Sequence, residues 1–170
     1  MTTLSGTPVP ARRRGAAVLA VLATALLTTL GLAGPASAVS QADAAAQFRA
    51  AGITWTSSGN CTDRTNSTCT SFDGLRQTTI DGAVTLKRAS GCALTITGGT
   101  ETGHAGGTYS HGTGYKLDFR RTTCLDSWVT GTYTYVGQRS DGAAQYRAAS
   151  GNVYANEGSH WDVVFYSCGC

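Results

Sequence analysis

Two short segments of the sequence combine histidine and carboxylate residues at spacings typical of metal sites. His111 is followed by Asp118 in SHGTGYKLD, and Glu157 precedes His160 in EGSHW. Two imidazoles and one carboxylate can hold Zn²⁺ and leave a fourth position for water, and a further carboxylate beside that water can act as general base. We therefore predict a zinc hydrolase site built from these four residues.

Each candidate also has a structural interpretation. A single histidine is most often a surface or hydrogen-bonded residue. Asp118 could form a salt bridge with Lys116, Arg120 or Arg121. For Trp161, which follows His160, packing in the core is favoured over contact with a substrate.

Residues 1–38 have the pattern of a secretory signal peptide. Three arginines at 12–14 precede a mostly apolar stretch at 16–33, and Ala36-Ser37-Ala38 is a small-residue cleavage site. The apolar stretch is nearly long enough to span a membrane, but the cleavage site favours removal. We expect a secreted, extracellular protein that no longer contacts a membrane after cleavage, with residues 39–170 as its working domain.

The remaining 132 of the 170 residues suit one domain with a single core. Three of the 13 basic residues belong to the predicted signal peptide, so the domain has ten basic and 10 acidic residues and no formal net charge. This balance argues against nucleic acid or an anionic membrane as a partner. We expect a monomer.

All six cysteines lie in the predicted domain, and an even number in an exported chain indicates disulfides. Cys61 and Cys69 form the favoured pair, which closes a polar loop. Cys92 could pair with Cys124 or with the C-terminal strand. The Cys168-Gly169-Cys170 end could bind metal, although export favours a disulfide.

Hydrophobic patterning predicts an α+β fold, because helices mostly precede strands and do not alternate with them. We predict short helices over 40–51, between Ser71 or Asp73 and Gly91, and over 140–150, with an irregular segment at 53–69. The predicted strands are 92–97, 115–119, 132–138 and 160–167.

Alternation along two of these strands leaves the candidate ligands on the face away from the core. Asp118 lies opposite Leu117 and Phe119, and His160 lies opposite Trp161 and Val163. A turn at 157–159 could let Glu157 and His160 reach one centre. If the two strands are neighbours, the candidate residues converge at one end of the sheet.

The stretch LTITGGTETGHAGGTYSHGTGYKLDF resembles the core of the D-Ala-D-Ala-peptidase and Hedgehog-type zinc peptidase superfamily, whose members carry SxHxxGxAxD and a later ExxH followed by an aromatic residue. His111, Gly114 and Asp118 fit the first motif, and Glu157 and His160 fit the second. Two positions depart from the motif, because a serine directly precedes the histidine and a lysine replaces the usual small residue at 116. The resemblance spans roughly residues 75–165.

The resemblance implies Zn²⁺ held by His111, Asp118 and His160, with Glu157 as base and an antiparallel sheet flanked by short helices. Family carboxypeptidases often carry SGYR after the first strand, where this chain has Gly98-Gly99-Thr100-Glu101. The GTETGH segment is similar to Hedgehog signalling domains. His104 could replace the missing arginine as the group that polarises the substrate carbonyl.

Two function classes follow. One is a secreted zinc peptidase that hydrolyses an amide bond in peptidoglycan stem peptides, of the D-Ala-D-Ala carboxypeptidase or endopeptidase type. The other is a non-catalytic, zinc-stabilised Hedgehog-like binding or signalling module. Dependence of turnover on Glu157 distinguishes them.

Overall fold

The computed structural model describes residues 1–3 and 38–170, so the predicted signal peptide lies almost entirely outside the described residues. In these residues the chain forms three helices and seven strands. The helices are α1 (Gln41–Ala50), α2 (Gln77–Ser90) and α3 (Thr123–Thr132). The strands are β1 (Thr54–Trp55), β2 (Thr95–Gly98), β3 (Lys116–Arg120), β4 (Thr134–Gln138), β5 (Ala144–Arg147), β6 (Val153–Asn156) and β7 (His160–Val164).

The strands form one sheet in the order β1-β2-β3-β7-β6-β5-β4. Strands β1 and β2 pair in parallel, and every other pairing is antiparallel. The α+β class is thus confirmed, whereas the expected antiparallel sheet is in fact mixed. The parallel pair arises because α2 lies between β1 and β2 in the chain, and parallel neighbours need such a crossover.

All three helices contribute to a single hydrophobic core on one face of the sheet. Leu117 and Phe119 of β3 and Trp161 and Val163 of β7 enter this core and are at most 1% exposed. The helices add Ala44, Phe48, Ile80, Ala83, Leu86, Leu125 and Val129. Because side chains alternate along a strand, the intervening residues of β3 and β7 lie on the opposite face. Core packing of Trp161 is therefore confirmed.

The ends of α1 and α2 show which of the predicted capping residues were correct. Ser40 caps α1 by accepting a hydrogen bond from the Asp43 backbone N–H, and Gly91 ends α2 in the left-handed conformation. The predicted start of α2 at Ser71 or Asp73 is wrong. Arg76 precedes the first turn without a side-chain cap, so the helix starts later than the capping residues indicate.

The helix predicted over 140–150 is also wrong, because this segment contains β5. Asp141 and Gly142 form the turn between β4 and β5. The backbone N–H of Arg139 bonds to the Ala143 carbonyl, and Gly142 has a φ of 87°. An Asp-Gly pair is a strong hairpin signal that outweighs the helix propensity of the nearby alanines. Strands β1 and β6 and helix α3 were not predicted.

Three cysteine pairs lie at disulfide distance: Cys61–Cys69, Cys92–Cys124 and Cys168–Cys170. The first is the favoured pair, and the second settles the partner of Cys92. The third makes the C-terminal CxC a disulfide in this structure. Such pairs are typical of an oxidising, extracellular compartment.

Among the described residues, no helix has both the length and the apolar character needed to cross a membrane.

The packing around Gly82 explains why a glycine lies in the interior of α2. A methyl group at this position would collide with the ring of Phe165, which is fully buried. We expect Gly82→Ala to destabilise the fold by about 1–3 kcal/mol through overpacking. Gly131→Ala in α3 has open space around it and should stabilise by up to about 1 kcal/mol. Urea unfolding measures the change in the free energy of unfolding for each variant. Equal changes for the two substitutions would contradict this packing.

Candidate metal and catalytic site

Adjacent strands β3 and β7 bring the candidate residues together. Asp118 pairs in register with Asp162, and Arg120 pairs with His160. The expectation that these two strands are neighbours is therefore confirmed. All five residues predicted from the sequence, including those on loops, line a single cleft of about 490 Å³.

Asp118 lies at the centre of this cleft and is 5% exposed. Its Oδ1 is 3.2 Å from His111 Nε2 and 3.5 Å from His160 Nε2. No hydrogen-bond donor of the described chain contacts this oxygen. Gly98 on β2 makes room for the carboxylate, because a Cβ there would collide with Asp118 Oδ2. A buried carboxylate oxygen without a donor is costly unless a cation compensates it.

The salt-bridge interpretation of Asp118 is wrong. Lys116 binds Asp162 instead, Arg121 binds Asp126, and Arg120 donates to the hydroxyl of Thr56. The side chains left beside Asp118 are histidines, which are the side chains that most often bind metals.

His111 is held in one orientation by the backbone. It is 4% exposed, and its Nδ1 lies 2.6 Å from the carbonyl oxygen of Gly99. Nδ1 must donate in this contact, so the lone pair of a neutral ring is on Nε2, which faces Asp118. A backbone carbonyl behind the ring is the usual outer support of a metal-binding histidine.

His104 stacks on His111, with 3.8 Å between ring centroids and 16° between ring planes. Its Nε2 is 3.3 Å from Glu101 Oε1, and its Nδ1 is 3.8 Å from Asp118 Oδ2. The hydrogen bond to Glu101 raises the pKa of His104, and the negative charge of Asp118 adds to this effect, although burial opposes it.

Glu101 anchors the loop that carries His104. It is 4% exposed and accepts hydrogen bonds from the backbone N–H groups of Ser71 and Gly99. Burial raises the pKa of Glu101. The hydrogen bonds from His104 and from the backbone outweigh this effect and hold the pKa below its ordinary value.

Glu157 and His160 meet across the turn before β7. The Glu157 N–H donates to the His160 carbonyl, and Gly158 supplies a φ of 82°. Glu157 Oε2 is 3.2 Å from His160 Nε2. The turn thus brings the two side chains together in the cleft.

His104, His111 and Asp118 each offer one ligand atom, and these atoms lie within 4.8 Å of one another. This group could hold a metal ion. From the sequence we predicted His104 beside the metal and His160 among its ligands. In the structure His160 Nε2 approaches the Asp118 carboxylate from β7.

Sequence reasoning missed four charged residues of the cleft: Lys116, Arg139, Asp141 and Asp162. Asp162 is 5% exposed, and its Oδ2 is 2.7 Å from Lys116 Nζ and 3.0 Å from Arg139 Nη1. Burial raises the pKa of Asp162, but these cations and His111 hold it below its ordinary value. Its position two residues after His160 on one strand could have revealed it. Arg139 has no comparable signal, because it lies between the predicted strand 132–138 and the segment 140–150, which was predicted to be a helix.

Comparison of the chain with protein families, curated proteins and solved structures finds no match. The case for a function therefore rests on the site itself.

The Glu101 network predicts a pH-dependent contribution to stability. Glu101→Gln keeps one oxygen for the backbone N–H groups of Ser71 and Gly99, but it removes the negative charge that strengthens these hydrogen bonds and the contact with His104. It should destabilise the metal-free protein by about 1–3 kcal/mol at pH 7. Because the folded pKa is lowered, the stabilisation is complete above the unfolded-state pKa of about 4.3 and is lost as pH falls through the folded value.

Urea unfolding from pH 7 to pH 3 should therefore show the difference between wild type and Glu101→Gln narrowing towards acid pH. A difference that stays constant, or widens, over this range would contradict the ionised network.

Proposed function

We propose that the protein is a secreted, zinc-dependent peptidase that hydrolyses an amide bond in peptidoglycan stem peptides. The observation that carries the proposal is the buried Asp118 Oδ1, which has no donor and faces the Nε2 atoms of two histidines from different parts of the chain. The motif resemblance supplies the substrate class. Either a D-Ala-D-Ala carboxypeptidase activity or an endopeptidase activity is consistent with this site.

The two separations measured from Asp118 are consistent with His111 and His160 as ligands of the same ion, whereas the ligand atoms that all lie within 4.8 Å of one another are those of His104, His111 and Asp118. Ligand atoms about 2.0–2.1 Å from a tetrahedral zinc are separated by about 3.3 Å. The separations from Asp118 Oδ1 are 3.2 Å to His111 and 3.5 Å to His160.

His104 fits the ligand role less well. Its ring is nearly parallel to that of His111 and stacked on it, and imidazole nitrogens bind metals in the plane of the ring. An ion in the plane of one ring would therefore lie far above the plane of the other. Its Nε2 is also engaged by Glu101 Oε1, which leaves only Nδ1 to face Asp118.

A zinc ion held by these ligands would supply a Lewis acid that polarises a carbonyl group and lowers the pKa of water. Glu157 would act as the general base. Its Oε1 is bonded to Arg139 and its Oε2 faces His160. It would take a proton from the attacking water and pass it to the leaving amine as the C–N bond breaks. Protonated His104 would donate to the carbonyl oxygen as negative charge develops there.

The ligand assignment predicts the zinc content of four variants. His111→Ala, Asp118→Ala and His160→Ala should each weaken zinc binding by more than the roughly 10–100-fold expected for loss of an outer support. His104→Ala should retain zinc. Elemental analysis after dialysis measures this, and a His104→Ala protein without zinc beside a His160→Ala protein with full zinc would place the ion with His104.

The base assignment predicts a variant that binds metal but does not turn over. Glu157→Gln keeps the size and hydrogen bonding of the side chain but cannot accept a proton at neutral pH. Zinc content should stay near wild type, while release of new amines from purified peptidoglycan should fall by ~10²–10⁴-fold. His104→Ala should lose up to about 10²-fold as an oxyanion donor.

Glu157→Gln protein that carries zinc and works at the wild-type rate would refute this mechanism. Wild-type protein that binds zinc tightly yet cleaves no stem peptide would favour the non-catalytic, zinc-stabilised module.

A further inference from the structure

A second groove of about 270 Å³ crosses the same face of the sheet beside the cleft. The two share Lys116, Arg139 and Asp162. The groove floor is formed by Val153, Ala155 and Val164, and Gln145 and Arg147 of β5 lie beyond it. A ligand in the catalytic cleft can therefore continue along the sheet into this groove without crossing a ridge of helices.

One wall of the groove is a pair of exposed tyrosines in contact with each other. Tyr109 and Tyr166 are 49% and 45% exposed and meet edge to face, with ring centroids 4.9 Å apart. Tyr109 also meets Tyr115 edge to face at 4.9 Å, and Arg76 lies over the ring of Tyr115. These contacts fix the rings before any ligand arrives, which lowers the entropic penalty of binding against them.

Arg147 differs from the other cations of the groove. Lys116 and Arg139 both pair with Asp162, and Arg139 also pairs with Asp141. Within the described part of the chain, Arg147 forms no ion pair and makes no side-chain hydrogen bond, and it is exposed. A free guanidinium in a groove is complementary to a carboxylate, which it can bind through two parallel hydrogen bonds.

We propose that this groove is a subsite that binds the part of the substrate beyond the scissile amide, and that Arg147 selects a carboxylate on that part. The inference rests on the proposed function and adds to it a substrate class, an acidic peptide. Three strand spacings separate β3 from β5, about 14 Å. At about 3.3 Å per extended residue, the selected carboxylate lies within about four residues of the cleaved bond.

The test compares two probes on the zinc-loaded protein. One is a stem peptide with its non-terminal carboxylates free, and the other is the same peptide with those carboxylates amidated. Affinity is measured by calorimetry on Glu157→Gln protein, and kcat/KM is measured on protein with Glu157 intact. We expect the free-carboxylate peptide to be favoured by about fivefold to tenfold in both affinity and kcat/KM.

Arg147→Gln should abolish this preference, Arg147→Lys should restore part of it, and Arg147→Glu should reverse it. Arg88→Gln is the matched control, because Arg88 is an exposed arginine on α2, which packs on the other face of the sheet. It should keep the full preference.

Equal cleavage of both peptides by wild type and Arg147→Gln would overturn the subsite while leaving the peptidase intact. Arg147-dependent binding without any cleavage would support the subsite and reject the proposed peptidase. An Arg88→Gln protein that loses the preference as fully as Arg147→Gln would show a general charge effect and overturn the assignment to Arg147.

Discussion

The buried carboxylate of Asp118 is the constraint on which the rest of the site depends. Removing a charged group from water is unfavourable unless other charges or hydrogen bonds compensate it. Here the surrounding chain is arranged so that histidine nitrogens, and no backbone donor, face Oδ1. The missing side chain at Gly98 admits the carboxylate, and the Gly99 carbonyl fixes the ring of His111. This pattern is expected where the compensating positive charge is an ion supplied from solution.

The two faces of the sheet differ: one forms the core and the other carries the candidate site. The helices bury one face, where Trp161 and Phe119 are fully enclosed. The opposite face carries Asp118 and Asp162 in register on neighbouring strands. Substitutions on the second face can therefore alter the cleft while leaving the core intact. The same division places the proposed peptide groove next to the candidate metal cleft, on the face that the helices do not cover.

Much of the site could be predicted from sequence because its residues follow strand alternation. The placement of Asp118 and His160 on the face away from the core required only period-two patterning and the adjacency of two strands. The hairpin of β4 and β5 could not be found this way. Alanines at 143, 144, 148 and 149 suggested a helix, whereas the turn at Asp141-Gly142 and pairing with β6 decide the structure. Arg139, which connects Asp162 with Glu157, was missed for the same reason.

The central claim is that this face hydrolyses an amide bond with a zinc ion held at Asp118. Mass spectrometry of muropeptides, after purified cell wall is incubated with the zinc-loaded protein, tests it most directly. The account predicts shortened stem peptides in which one amide bond has gained the elements of water, and none when a chelator is present. Stem peptides left intact by the zinc-loaded protein, or the same products with chelator as without, would contradict it.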